Sequence, residues 1–267
     1  MISIRHLKVR DVIFADSLRK MEGWNQTTDD WFPFIALEPD GCFIAEWDGV
    51  SVGTITTIRY GVAVGWIGMA LVHPEYRKRG IGRALLQRAI DYLRDNKVNC
   101  IKLDATPLGK KLYDSLGFRD EWSLTRWTKT GVDFVCVPTE ELDLRKISQW
   151  DERAIGANRY ALLTALSSGS LSKITEHGFG MIRAGSNAAY LGPVVAETAD
   201  EGLTIVRELI SNLNVVWDIP DYNGPAIHWA KTNGFTARRT LTRMYLGENV
   251  RAEAPETLYA IAGPEVG

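Results

Sequence analysis

Arg77-Lys78-Arg79-Gly80-Ile81-Gly82-Arg83-Ala84 packs four cations and two glycines into eight residues. That spacing is chemistry for an anion. Glycines let a backbone approach a cluster of charged oxygens and take positive φ, so that successive N–H groups converge on it. A helix opens within the run, and its N-terminus adds partial positive charge. The arginines and the lysine add long-range attraction. A phosphate group is therefore the expected guest. The run is neither G-x-x-x-x-G-K-[ST] nor G-x-G-x-x-G. Read alone, it competes with a solvated basic turn that merely starts a helix.

The elements that must hold this loop follow from its flanks. Trp66 to Val72 is an apolar strand that stops at His73-Pro74. After the loop, Leu86, Ala89, Ile90 and Leu93 fall at i, i+3, i+4 and i+7, one apolar face of a helix. Asn99 to Leu103 is a buried strand, and a crossover of this length places it parallel to the first. Thr106 is an N-cap with Pro107 at the first helical position, and Gly117 lies just past that helix. Trp122 to Thr128 is a further strand. Upstream, Ile2 to Val9 opens the chain as a strand, and Asp11 is placed to cap a helix to about Lys20. Thr28 is placed to cap a short helix. CFIAEW and VGTITTIR form a hairpin through Asp48-Gly49. The fold class expected is α/β with a mixed sheet: an antiparallel meander on one side, a parallel pair at the glycine loop.

Net charge is −2, from 31 basic and 33 acidic residues. A nucleic-acid binder or a protein for anionic membranes would show a basic excess, so neither partner is expected. Cys42, Cys100 and Cys136 form no C-x-x-C and no zinc pattern with the four histidines, so no metal is expected and reduced thiols are. No apolar run is long enough to span a membrane, and the N-terminus lacks the apolar core of a leader. A cytoplasmic location is the expectation, and a homodimer is left open.

The chain repeats itself. SLTRW at 123–127 returns as TLTRM at 240–244, an offset of 117 residues, and Gly117-Phe118 returns as Gly234-Phe235 at the same offset. WIG at 66–68 resembles YLG at 190–192, and LDAT at 103–106 resembles WDIP at 217–220. Two tandem domains follow, 1–132 and 133–267. The joint lies in TKTGVDFVCVPTEEL, past Gly131 and Pro138, before a helical stretch from Ala154 to Leu166. The second copy carries AETADEGLTIVREL where the first has its basic loop. Glu197, Asp200 and Glu201 there would repel a phosphate, and only Gly202 remains.

VHPEYRKRGIGRALL followed by KLYDSLGF resembles the GCN5-related N-acetyltransferase (GNAT) family over roughly residues 1–130. The resemblance implies two tandem GNAT-like domains, each a mixed, mostly antiparallel sheet flanked by helices, the second degenerate. It implies acetyl-CoA as co-substrate: Leu71 and Val72 along the pantetheine arm, and Arg77, Lys78, Arg79, Gly80, Ile81, Gly82, Arg83 and Ala84 around the pyrophosphate. It implies Tyr113 as the hydroxyl that protonates the departing thiolate, a role in which a positioned donor is worth roughly 10²–10⁴-fold. At the position of Tyr113 the second copy has Ala230. Many relatives carry a glutamate base on the strand matching Val52–Arg59, but TITTIRYG has none. A relayed water or the carboxylate of Asp104 could replace it, and Asp104 reads equally as a turn-capping residue. Trp24, Asp29, Asp30 and Trp31 are candidates for the acceptor site, the carboxylates to hold a cationic amine, against a lid of core aromatics and solvated acids. Trp217, Asp218, Tyr222 and Trp229 could wall that site or pack the core. The Ala262-Gly263-Pro264-Glu265 tail resembles that of bacterial tandem-GNAT proteins. The activity implied is acetyl transfer to the amine of a small molecule or amino acid. A binding module that senses acyl-CoA without transfer is the alternative.

Overall fold

The computed structural model describes residues 1–135 and 142–267, so Cys136 and Pro138 of the joint lie outside the described residues. In chain order the first half runs β1 (Ile2–His6), α1 (Val12–Met21), α2 (Trp31–Leu37), β2 (Phe43–Trp47), β3 (Val50–Tyr60), β4 (Val64–Val72), α3 (Ile81–Asp95), β5 (Cys100–Ala105), α4 (Pro107–Asp114) and β6 (Arg119–Lys129). The second runs α5 (Leu144–Ile155), α6 (Tyr160–Ser167), β7 (Ser170–Ile174), β8 (Gly178–Arg183), β9 (Ala189–Ala196), α7 (Ala199–Ile210), β10 (Val215–Pro220), α8 (Gly224–Thr232), β11 (Thr236–Gly247) and β12 (Leu258–Ala260).

Local chemistry explains most of the boundaries. Asp48 and Gly49 take φ of 49° and 82°, the positive pair that a two-residue hairpin turn demands between β2 and β3. Thr106 accepts from the Gly109 amide at 3.2 Å and caps α4. Two expected caps differ. Asp11 does not cap α1, because its carboxylate takes the Lys8 amide and a bidentate bond from Arg5. Thr28 donates to Asp16 at 3.0 Å, and Asp30 occupies the N-cap position of α2. The single helical stretch expected over Ala154–Leu166 breaks at Gly156, whose φ of 81° ends α5 before α6 begins.

The twelve strands of the described residues join one sheet, in the order β1-β2-β3-β4-β5-β11-β6-β10-β9-β8-β7, with β12 on β9. The meander β1–β4 is antiparallel, and β4 pairs parallel with β5 as the crossover requires. At the centre the halves interleave. β11 of the second half lies between β5 and β6 of the first, and β6 lies between β11 and β10. Each half thus takes the other's last long strand. The exchange is locked by two buried ion pairs in equivalent places: Arg243 on β11 with Asp104 on β5, and Arg126 on β6 with Asp218 on β10. Both are bidentate, and each partner is the registered neighbour of the other across its strand pair.

Helix α3 buries Leu86, Ala89, Ile90 and Leu93 against the first-half sheet. At roughly 1.5–3 kcal/mol per fully buried large apolar side chain, that face contributes strongly to fixing the glycine loop at its start. Helix α7 does the same for the second half with Ile205, Val206 and Leu209. A third apolar cluster is common to both halves: it holds Trp31, Trp66, Ile147, Leu163 and, from the C-terminal tail, Ile261, Ala262 and Val266. Among the described residues no helix is long and apolar enough to cross a membrane.

Candidate active site

Strands β4 and β5 pair only from Val64 to Trp66 against Cys100 to Lys102, then part. Two features drive them apart. A bulge on β4 puts one extra residue opposite Thr54–Thr56, with Met69 at φ 47°. The C-terminal tail then enters the gap: Trp66 Nε1 donates to the Pro264 carbonyl at 3.1 Å. At Gly68 a Cβ would collide with the Glu265 carbonyl, so only glycine admits the tail there. Above the tail the splay opens into a cleft of about 480 Å³, within the usual range for a ligand site. Its walls include Ile67–Val72 of β4, Leu103 and Asp104 of β5, Thr106–Gly109 and Tyr113 around α4, and Trp24 and Gln26 from the first half. From the second half come Arg239, Leu241, Pro264 and Glu265.

The glycine loop stands at the mouth. Gly80, at φ 84°, is the N-cap residue of α3, and Lys78 has φ 62°. The amides of Arg77 and Ala84 bond within the loop, whereas the amides from Lys78 through Arg83 donate to no acceptor among the described residues. A run of unspent N–H groups at a helix N-terminus is an anion nest. The cationic side chains are mostly committed to shaping it. Arg77 donates Nε to the Val72 carbonyl at 3.0 Å and pairs with Glu22. Arg79 stacks over Tyr76 and Trp47, and Arg83 bonds Ser115. Leu71 and Val72 lie on the β4 wall between nest and cleft.

Tyr113 lines the cleft, edge-on to Phe118. Its hydroxyl makes no hydrogen bond among the described residues, and burial pushes its pKa up to about 12. It is a phenol with its proton in place. Asp104 also lines the cleft, but both its oxygens are taken by Arg243 at 2.9 Å. Burial pushes its carboxyl up against the pull of Arg243. The equivalent Asp218 holds the same pair in the half that lost the loop and the tyrosine, which marks the pair as structural.

Of the acceptor-site candidates, Trp24 lines the cleft. Trp31 is fully buried in the shared apolar cluster, and Asp29 is exposed away from it. Asp30 accepts from the Thr27 amide and faces Arg183 at 3.9 Å. Of the four second-half candidates, Trp217 packs edge-on to Trp229 and Phe235, Asp218 is paired, and Tyr222 meets Trp122. None of them lines the cleft. The residues that sequence reasoning missed are Glu22, Gln26, Arg239 and Glu265. Glu265 is 6% exposed; its Oε2 accepts from Gln26 Nε2 at 2.6 Å, and burial pushes its carboxyl above the ordinary glutamate range against the pull of Arg183. Two signals could have marked it: the tail extends past the end of the internal repeat, and its Ala262-Gly263-Pro264-Glu265 run resembles that of tandem-GNAT proteins. Among the described residues no group of His, Cys, Asp and Glu is arranged to hold a metal ion.

The fold thus brings an anion nest, a splayed parallel strand pair and a phenol together around one cleft. The family model described as acetyltransferase (GNAT) family matches residues 11–118, and a second, described as acetyltransferase (GNAT) domain, matches residues 147–260. The chain belongs to the GNAT acetyltransferases and is of the tandem type. It is 27% identical over 158 residues to the uncharacterized N-acetyltransferase YitH of Bacillus subtilis, covering 54% of this chain and about half, 55%, of that protein. It is 24% identical to the holothin acyltransferase of a Pseudoalteromonas species over 92% of this chain and 88% of that one. The crystal structure described as a putative acetyltransferase from Pyrococcus horikoshii superposes with a TM-score of 0.87 at 24% identity, covering 100% of this chain and 96% of that one.

Proposed function

We propose that this chain moves an acetyl group from acetyl-CoA to the amine of a small molecule or amino acid, by direct attack of the amine in a ternary complex. The observation that supports it most is the row of unspent amides from Lys78 to Arg83, next to a strand edge that leads to the unpartnered Tyr113 hydroxyl. The amides and helix α3 would hold the pyrophosphate, and the β4 edge, unpaired beyond Trp66, would align the arm. The amine nitrogen bonds to the carbonyl carbon as the carbon–sulfur bond breaks. Tyr113 gives its proton to the leaving thiolate, and a proton lost by the nitrogen restores the phenol. Holding both reactants in one cleft turns a bimolecular encounter into an oriented one.

The test is calorimetric titration of acetyl-CoA, followed by free-thiol detection across an amine library. Expected are one acetyl-CoA bound per chain and thiol release with at least one amine. Binding with no thiol released by any amine would make the chain a sensor; no binding would end the coenzyme reading altogether.

A further inference from the structure

Two charged side chains from the second half reach the cleft and have no task in the reaction as written. Arg239, on β11, lines the cleft, its Nε is buried without a hydrogen-bond partner, and its guanidinium makes no ion pair among the described residues. The other inward guanidinia are committed: Arg126 to Asp218, Arg159 to Asp151, Arg243 to Asp104, and Arg183 to the Gly192 and Ala262 carbonyls. A buried donor left unmade is costly and therefore wants a ligand. The planar guanidinium fork matches a carboxylate. The second residue is Glu265. Its backbone is held against Gly68 of the β4 bulge, where the thioester would lie, and its side chain keeps one oxygen on Gln26 and the other 3.4 Å from Arg183.

We propose that the second half builds the acceptor subsite, and that this subsite takes an amine bearing a carboxylate, an amino acid: Arg239 binds the carboxylate and Glu265 accepts the proton the ammonium must lose. This rests on the acetyl-transfer reading above. The protons balance. The ammonium gives one proton to Glu265, which releases it to solvent. The neutral nitrogen bonds to the acetyl carbon, the carbon–sulfur bond breaks, and the thiolate takes the Tyr113 proton. The nitrogen's second proton returns the phenol to its starting state, leaving an N-acetyl amino acid and free thiol.

The experiment compares amino acids with their decarboxylated amines as acceptors, in the full chain with saturating acetyl-CoA. Wild type should favour the amino acid by roughly 10²-fold in kcat/KM, because a site built to pair a polar group rejects the analogue lacking it. Arg239→Gln should collapse that ratio, through KM, with Arg239→Lys recovering part of it. Glu265→Gln keeps the shape and the bond to Gln26, and should lower kcat by roughly 10²-fold while acetyl-CoA affinity stays within about threefold. Equal or better use of decarboxylated amines, or an Arg239→Gln loss that falls alike on both acceptors, would overturn the proposal and leave acetyl transfer standing. Thiol release with no acceptor, or no acetyl-CoA binding, would overturn both.

Discussion

The splayed pairs β4–β5 and β9–β10 start alike and end differently. Each is parallel over three residues, Val64–Trp66 against Cys100–Lys102 and Ala189–Leu191 against Val215–Trp217. Each then admits the C-terminal tail at a glycine, Gly68 or Gly192, where a Cβ would meet the tail's backbone. In the second half the tail fills the gap. β12 pairs with Val194 and Val195 of β9, Trp217 donates to the Tyr259 carbonyl, and the Tyr259 ring lies against Gly202, where a phosphate loop would need open space. Fewer amides are open as well: Glu201 donates to the Thr198 hydroxyl and Glu197 to the His177 carbonyl, which leaves only those of Thr198, Ala199 and Asp200 without an acceptor among the described residues. In the first half the same tail covers only the floor, and the amides of the loop stay unspent. One segment therefore closes one cleft and completes the other. A splayed strand pair alone therefore leaves no room for a ligand; the unfilled gap and the longer run of unspent amides set the first half apart.

The largest effect tests what the halves share. Asp104→Asn and Asp218→Asn each strand a buried guanidinium, and each should cost about 3–5 kcal/mol in denaturant melts. Similar losses are expected from the half that carries the glycine loop and the half that lacks it. A variant at Asp104 that stays as stable as wild type yet loses activity would return that carboxylate to the chemistry. Next comes what separates the halves. Gly82→Asp gives the first loop the acidic character of the second, and the space around Gly82 admits a Cβ, its nearest neighbours lying at 3.6 and 3.8 Å. Like charge beside a pyrophosphate costs several kcal/mol, so acetyl-CoA affinity should fall more than about 10²-fold with an unchanged melt. Glu201→Lys in the second half should leave the stoichiometry at one, because Tyr259 and β12 still occupy the gap.

What could be read from the residues follows contiguity. The loop and Tyr113 sit in two short motifs, so strand, nest and phenol were visible at once. The strand exchange was not. SLTRW on β6 and TLTRM on β11 offer β5 and β10 nearly the same surface, including an arginine for Asp104 or Asp218, so each half's own strand and the other's fit equally well on local grounds. Arg239 and Glu265 were hidden for a related reason: they reach the cleft from more than a hundred residues beyond Tyr113, through that exchange and through a tail whose glycine contact at Gly68 leaves no local pattern. Trp31 misled because an aromatic beside acidic residues looks the same in a core as in a site.

Tyr113→Phe comes third. The ring contacts with Phe118 persist, so acetyl-CoA affinity should hold while kcat falls about 10²-fold, the lower part of what a positioned acid contributes. Because the second half has the fully buried Ala230 at this position, restoring a tyrosine there should only overpack that core.

The smallest effect, and the most discriminating between the carboxylates, is the pH profile. Tyr113 acts protonated, and with its pKa pushed up to about 12 it stays so across the working range; it should impose no alkaline fall in kcat below about pH 11. Glu265 acts ionised. Burial lifts it above the ordinary value of 4.5, so kcat/KM should climb with pH through a limb centred above that value, flat once the carboxylate is fully formed. The groups around it do not cancel this rise: Asp30 adds to it, while Arg183 on β8 and the bond from Gln26 oppose it, and Arg126, Arg239, Tyr60 and Tyr190 face it from β6, β11, β3 and β9. Glu265→Gln should remove that limb and keep the separate rise from the acceptor's own ammonium. If the limb survives the substitution, the proton leaves by a route that the tail does not supply, and the second half is then a floor to the cleft without a part in its chemistry.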